Sequence, residues 1–310
     1  IYLPKSPNKA KKEIINDSID ILFYPDIGMS KYTYMLALSR LALVQVNSLG
    51  HTCTSGIKTM DYFITSGVEP ITSDEKYTEK LVRFSRLPFN YIKPVINESS
   101  INNKNIINSG KYFNIGVTQT LFKLHPNYDD ILVKILQEIP QGRLILIKDR
   151  YNIATVELKD RWRKKNKILL ERSIFLDKMH NDDFLNVIRN CDIMLDPLYY
   201  GSGNTFYESM AFGTPFITYK NQKSKIPIAG YKQMKISNPP IALSESDYIN
   251  WCKVYSKNKN LLKQTRKEFI EKSNQYLFND NDIYKQYYKF FNKATELARK
   301  GESLNSDWSP

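Results

Sequence analysis

No stretch of this 310-residue chain approaches the roughly 20 uninterrupted apolar residues that a membrane-spanning helix needs, and its first residues lack the apolar block of a signal peptide. A cytoplasmic protein without a membrane span is the expectation. Cysteine is scarce: Cys53, Cys191 and Cys252 are odd in number and far apart, so they build neither a disulfide framework nor a CxxC metal site. That suits a reducing compartment. No internal repeat of about 20 to 50 residues is visible, which argues against a solenoid. A localised basic stripe is missing too. The net charge of +13 favours anionic partners in general, but the bases are scattered and no groove with interleaved aromatics is marked out, so no nucleic-acid partner is expected. The run Arg161-Trp162-Arg163-Lys164-Lys165 reads as a solvated face near a helix end.

What is present is a sequence that is 42% hydrophobic and long enough for two globular units. Short apolar runs alternate with amphipathic stretches: 21–24, 32–43, 44–49, 112–117, 128–139 and 143–147, then a helical period over 182–190, a strand-like 193–195, a helix over 205–212 and a strand over 216–219. Alternation of this kind predicts an α/β fold. Beyond Ser244 the pattern changes to Lys- and Tyr-rich helical stretches over 247–257, 261–276 and 283–300, which read as a helical C-terminal cap. The Asn- and Ser-rich segment between Glu98 and Gly110 suits a linker. The chain opens on Ile1 and soon enters a strand-like run, as expected of a start inside a longer protein.

The most informative stretch runs from Asp192 to Pro215 and reads strand, Gly-containing turn, helix, turn. Gly201 and Gly203 just before a helix would let the backbone approach a ligand, and the open amides at Asn204 and Thr205 favour an anion such as a diphosphate. Glu208, about one turn on, could accept from ribose hydroxyls. The same residues also suit a plain turn and N-cap, with Glu208 a solvated acid of the first turn. A second stretch, Asn114 to Pro126, puts Lys123 just beyond a strand, at the edge where open α/β sheets bind ligands. Lys123 could neutralise a departing diphosphate or be an ordinary surface charge. In the third stretch, Gln45 to Gly56, His51 sits in a Gly- and hydroxyl-rich loop, where it could act on a phosphate or in proton transfer, or be bonded structurally.

Taken in order, these stretches, with Met60-Asp-Tyr-Phe-Ile64, Tyr77-Thr-Glu-Lys-Leu-Val-Arg83 and Leu87-Pro88-Phe89, resemble the catalytic region of the O-GlcNAc transferase family. That family includes bacterial cytoplasmic N-glucosyltransferases and plant transferases of the Spindly type. The resemblance covers about Asp20 to Tyr276 and is nearest to bacterial members.

It implies an α/β fold of GT-B type. Residues 1–98 would be the remainder of an N-terminal Rossmann-like, acceptor-side domain, 99–110 a linker, 111–245 a C-terminal Rossmann-like domain for the nucleotide sugar, and 246–310 a helical C-terminal segment. Most of the N-terminal half and any TPR array would lie outside the chain. By resemblance, Lys123 contacts the donor phosphates with Gln119 beside it, and Gly203, Asn204 and Thr205 hold the diphosphate. Glu208 then holds the ribose, in place of the aspartate of animal enzymes. The base would lie along Met179 to Phe184, with the Phe184 ring available for stacking. His51 would face the donor from a loop of the N-terminal half.

Retaining GT-B enzymes commonly carry two glutamates separated by seven residues, and the second position here is Phe216, so the resemblance implies inversion. The one Asp-x-Asp match, Asp280-Asn281-Asp282, reads as a turn and N-cap rather than a metal motif, so no metal or other cofactor is expected beyond a UDP-sugar donor. The implied function is transfer of GlcNAc or another hexose to a protein acceptor. The alternative is a truncated, catalytically impaired module of the same family that binds a nucleotide or a protein.

Overall fold

A computed structural model describes residues 2–101, 107, 110–305 and 308–310. In chain order the elements are α1 (Pro7–Asn16), β1 (Ile21–Tyr24), α2 (Lys31–Ala37), β2 (Val44–Ser48), β3 (Tyr62–Ser66) and β4 (Lys80–Phe84), followed by β5 (Phe113–Gly116), α3 (Pro126–Glu138), β6 (Gly142–Ile147), α4 (Ile153–Lys165), α5 (Lys167–Glu171) and β7 (Ser173–Leu176). Then come α6 (Asn181–Asn190), β8 (Ile193–Leu195), α7 (Asn204–Ala211), β9 (Phe216–Tyr219), α8 (Ile226–Gln233), β10 (Ile241–Ala242), α9 (Glu245–Lys257), α10 (Lys259–Tyr276) and α11 (Asp282–Arg299).

The chain forms two compact units, one of residues 1–90 with 280–310 and the other of residues 91–279. The division falls at Asn90 and Tyr91, ahead of the polar segment at 99–110, and it splits the C-terminal helices: α9 and α10 belong to the second unit and α11 to the first. Of that polar segment, residues 102–106, 108 and 109 lie outside the described residues.

In the first unit four parallel strands lie in the order β1-β2-β3-β4. Strand alternation sorts the side chains to two faces. Val44, Val46, Tyr62, Ile64, Val82 and Phe84 pack on Ile283, Phe290 and Ala294 of α11, whereas Phe63 and Leu81 pack with Leu49. The apolar stripe of α11 is why that helix belongs to this unit and not to a separate cap. Asn281 is its N-cap residue and Asp280 accepts from the Asp282 amide at 3.2 Å, while Asp280 and Asp282 both pair with Arg86.

The second unit is a six-stranded parallel sheet in the order β10-β9-β8-β5-β6-β7. Its core gathers Ile115, Leu144, Leu146, Ile193, Leu195 and Ile217 from the strands with Tyr128 and Leu132 of α3, Trp162 of α4 and Tyr248 of α9. From β5 the chain runs outward through β6 and β7, then returns to lay β8, β9 and β10 on the other side. The strand order therefore reverses between β5 and β8, and the crevice at their carboxyl ends is where sheets of this kind hold ligands.

The basic run on α4 is not a uniform solvated face. Trp162 is fully buried, and its indole N–H donates to Asp129 at 2.9 Å. Arg161 forks onto the same buried carboxylate at 2.7 and 2.8 Å, leaving Arg163, Lys164 and Lys165 exposed. A carboxylate this deep needs such partners to offset its desolvation.

Candidate functional site

Two loops leave the sheet at the reversal point. The first follows β5 and ends in a 3-10 turn, Leu121–Lys123, before Pro126 starts α3. It carries Gln119 and Lys123. The half-buried Lys123 ammonium donates to Gln119 Oε1 at 2.9 Å and to the Gly201 carbonyl at 3.4 Å, and lies 5.0 Å from the centre of the Tyr200 ring. Burial lowers its pKa, and the negative charge of Asp196 partly opposes that.

The second loop, after β8, brings Gly201 to within reach of Lys123. A Cβ at Gly201 would collide with Gln222 Oε1 and fall 2.8 Å from Asp196 Oδ2, so only glycine fits. The loops are also tied at their rims, where Asn127 Nδ2 donates to the Tyr199 hydroxyl at 2.9 Å. Asp196 itself is fully buried, accepting from the Ser202 N–H and from the Thr218 hydroxyl, each at 2.8 Å. Burial pushes its carboxyl up to about 7 against those bonds and the Lys123 charge.

Gly203 is the N-cap residue of α7 and offers no side chain to cap it. The first amides of the helix therefore point out of the loop with the positive end of the helix dipole behind them. Asn204 and Thr205 open the helix. Glu208 is its fifth residue, beyond the first turn, and is largely buried without a hydrogen bond or ion pair among the described residues. Burial pushes its carboxyl up to about 7. Tyr91, close enough to feel that charge, stacks on Tyr207 with ring centres 4.1 Å apart and 4° between planes. The turn and N-cap that the sequence suggests are present, with Gly203 as the cap residue, but Glu208 is not an acid of the first turn.

The third part of the sheet edge, after β7, holds a cavity of about 230 Å³ lined by Phe175, Leu176, Asp177, Lys178, Met179, Asp183 and Val187. Met179 is in this wall, and Phe184, the fourth residue of α6, is not among the residues that line it.

His51 belongs to the first unit. It follows β2 and Gly50, where a Cβ would collide with the Pro25 carbonyl, and its ring packs at Gly28, whose φ is +99°. The loop after it is clamped by the buried Glu79, which accepts from Thr54 Oγ1 at 2.6 Å and from the Ser55 N–H at 2.8 Å. Among the described residues no group of three or more His, Cys, Asp or Glu is placed to hold a metal ion.

The second unit thus gathers Gln119, Lys123, Gly203, Asn204, Thr205 and Glu208 on one sheet edge, with Met179 farther along it. Asp196, Thr218 and Gln222 escaped the sequence reading. The one signal for them was an acid at the end of a short buried strand, three chain segments that only the fold brings together.

No family model matches the chain. It is 23% identical over 194 residues to the UDP-glucose:protein N-beta-glucosyltransferase of Actinobacillus pleuropneumoniae serotype 5b, covering 62% of this chain and 31% of that protein. To the probable UDP-N-acetylglucosamine–peptide N-acetylglucosaminyltransferase SPINDLY of Petunia hybrida it is 26% identical over 219 residues, covering 68% and 23%. The chain is a homologue of protein glycosyltransferases. It spans between about a quarter and a third of the length of these glycosyltransferase relatives. Its fold is that of GT-B glycosyltransferases: a mutant of the Thermobaculum terrenum O-GlcNAc transferase superposes with a TM-score of 0.80 at 21% identity, covering 96% of this chain and 57% of that one. Anabaena HepE in complex with UDP and glucose superposes with a TM-score of 0.60 at 14% identity, covering 92% and 81%. A protein of similar fold is thus known with UDP bound. Among the described residues no helix is long and apolar enough to cross a membrane.

Proposed function

We propose that this chain carries the donor site of an inverting glycosyltransferase that moves GlcNAc or another hexose from a UDP-linked donor to a protein. The observation that carries it is the meeting of Lys123 and Gly201 at the strand-order reversal, directly ahead of a helix start with no side-chain cap. A diphosphate seated there meets the Lys123 ammonium on one side and the α7 amides on the other. Glu208 lies one turn along for the ribose, and the Met179 cavity is at hand for the base, in place of a stack on Phe184.

In the transfer, an acceptor hydroxyl or amide attacks the anomeric carbon as the bond from that carbon to the phosphate oxygen breaks, and the acceptor's proton passes to water. The electron pair leaves with the diphosphate. Lys123 and the amides, rather than a metal, stabilise that developing charge, and Gln119 orients the ammonium. His51, the other residue that the family resemblance marks as catalytic, lies in the first unit.

Calorimetric titration with UDP and with GDP tests the donor site, and UDP is expected to bind the more tightly. Lys123→Ala is expected to abolish transfer and leave the fold intact by circular dichroism. Transfer that survives that change refutes the mechanism, whereas UDP binding by a wild type that neither transfers nor hydrolyses assigns the chain to the binding-module alternative.

A further inference from the structure

The fully buried Asp196 has no place in the transfer just described, yet it ties the loop after β8 to β9 and α9. Its Oδ1 accepts from the Ser202 N–H at 2.8 Å, a bond that closes the loop after β8 on itself across six residues. Its Oδ2 accepts from Thr218 of β9 at 2.8 Å, and its main-chain carbonyl accepts from the Tyr248 hydroxyl at 2.7 Å. The Ser202 carbonyl is held in turn by the Ser224 hydroxyl at 2.8 Å. Gly201, between these anchors, is the residue whose carbonyl Lys123 reaches.

The charge relation is separate from the frame. Lys123 spends its hydrogen bonds on Gln119 and Gly201, not on Asp196, so the two charges attract without pairing. A direct ion pair would compete with a phosphate for the ammonium. A carboxylate held just beyond reach stabilises the charge and leaves its donors free.

We propose that Asp196 is a positioning residue of the diphosphate seat, fixing the Gly201–Ser202 backbone so that the α7 amides stay open and acting as the distant counter-charge of Lys123. This rests on the donor reading above. Of the groups around Lys123, Gln119 on its own loop is neutral, Tyr200 presents its ring from the second loop, and Asp196 is the one charge whose influence on it is resolved.

The test compares UDP binding by wild type, Asp196→Asn and Asp196→Ala in the full chain by calorimetry between pH 8 and 11, where Asp196 is ionised. Lys123→Arg, which keeps its charge throughout, identifies the alkaline fall in affinity that belongs to Lys123. Asparagine keeps an acceptor for Ser202 and can donate to Thr218, so its frame stands while its charge is gone. The expectation is an alkaline fall shifted to lower pH in Asp196→Asn, and affinity reduced ~10- to 100-fold in Asp196→Ala, the cost of stranding a buried N–H that met a charged acceptor. A purely structural role would lower melting temperature without moving the alkaline fall. Should Asp196→Ala not fold, Asp196→Asn decides alone. An unmoved alkaline fall in a folded Asp196→Asn overturns the proposal, whereas a wild type that binds no UDP overturns the donor reading and this inference with it.

Discussion

Glu208 offers the sharpest test of the donor site, because its carboxyl is buried without a hydrogen-bond or ion-pair partner and titrates near neutrality. Burial holds it at about 7, against an ordinary 4.5, so the empty protein at pH 6 carries it mostly protonated. Two ribose hydroxyls would supply the donors it lacks and favour the ionised form, so its pKa falls on donor binding. With a bound-state pKa at or below 4.5, the ionised fraction that binding draws on drops from about 0.9 at pH 8 to about 0.03 at pH 5.5. Affinity should then fall by up to ~30-fold, ~2 kcal/mol, over that range. UDP-glucose is the proper probe, because the terminal phosphate of UDP itself titrates near about 6, as phosphomonoesters do, whereas a sugar diphosphodiester does not. Calorimetry across the range for wild type and Glu208→Gln isolates the effect, since every other titratable group, Asp196 included, is common to both proteins. Glutamine should bind more weakly at pH 8 and lose most of the slope. A Glu208→Gln protein with the full wild-type slope would show that Glu208 does not meet the donor.

Stability should run the opposite way without nucleotide. Asp196 and Glu208, both raised to about 7, hold protons in the folded protein that the unfolded chain has released, so resistance to urea should fall as pH rises from about 5 to 8, and a double Asn/Gln variant should flatten that trend. A urea midpoint that rises over this range in wild type would contradict it. Gly201→Ala should weaken UDP binding at least ~10-fold, because its methyl group has to displace Gln222 and crowd Asp196; unchanged binding in calorimetry would mean that the loop is not the seat. Asp129→Ala removes the partner of Arg161 and Trp162 in the core and should cost about 3 to 5 kcal/mol in chemical denaturation with little effect on UDP affinity once folded; a loss below about 1 kcal/mol would refute the role given to that pair.

The interior strands β8 and β9 were legible because burial on both faces leaves a continuous apolar run, and they fall on 193–195 and 216–219 as read; the edge strand β1, apolar throughout, falls on 21–24. Of the strands that escaped, β4 and β7 lie at sheet edges, whereas β3 lies inside its sheet. β4, with Lys80 and Arg83, and β7, only partly buried over Ser173–Phe175, each have a partner on one side alone, so charged and polar residues interrupt the pattern that marks a strand. The assignment of α11 was out of reach for a different reason. Its stripe announces that it packs on something, but the partners, Val44 to Phe84, lie some 200 residues earlier, and local periodicity carries no address.

The site divides along the same line between local and non-local chemistry. The helix start at Gly203 is encoded in adjacent residues, and the sequence located it to within a residue, 205–212 against Asn204–Ala211. What the sequence left open was whether that start is a ligand seat or an ordinary cap, and this depends on what lies across from it. The approach of Lys123 to Gly201 joins residues 78 apart and follows from strand order, since β8 lies beside β5 only because the chain doubles back after β7. The state of Glu208 is also non-local, set by burial in the folded unit, where its charge acts on Tyr91, 117 residues earlier. A helix start without a side-chain cap, a lysine whose donors rest on neutral groups and a largely buried carboxylate with no donor of its own each leave a charge or dipole unsatisfied, and on the proposed reading one diphosphate and one ribose would complement all three. For Lys123, burial lowers the pKa, so the empty seat holds its cation at a cost that an incoming anion removes. Stability gained on UDP binding should accordingly exceed what Lys123→Ala retains by about ten times in affinity or more, and thermal shifts of the two proteins titrated with UDP are the direct measure; equal shifts would mean that the cation does not face the diphosphate.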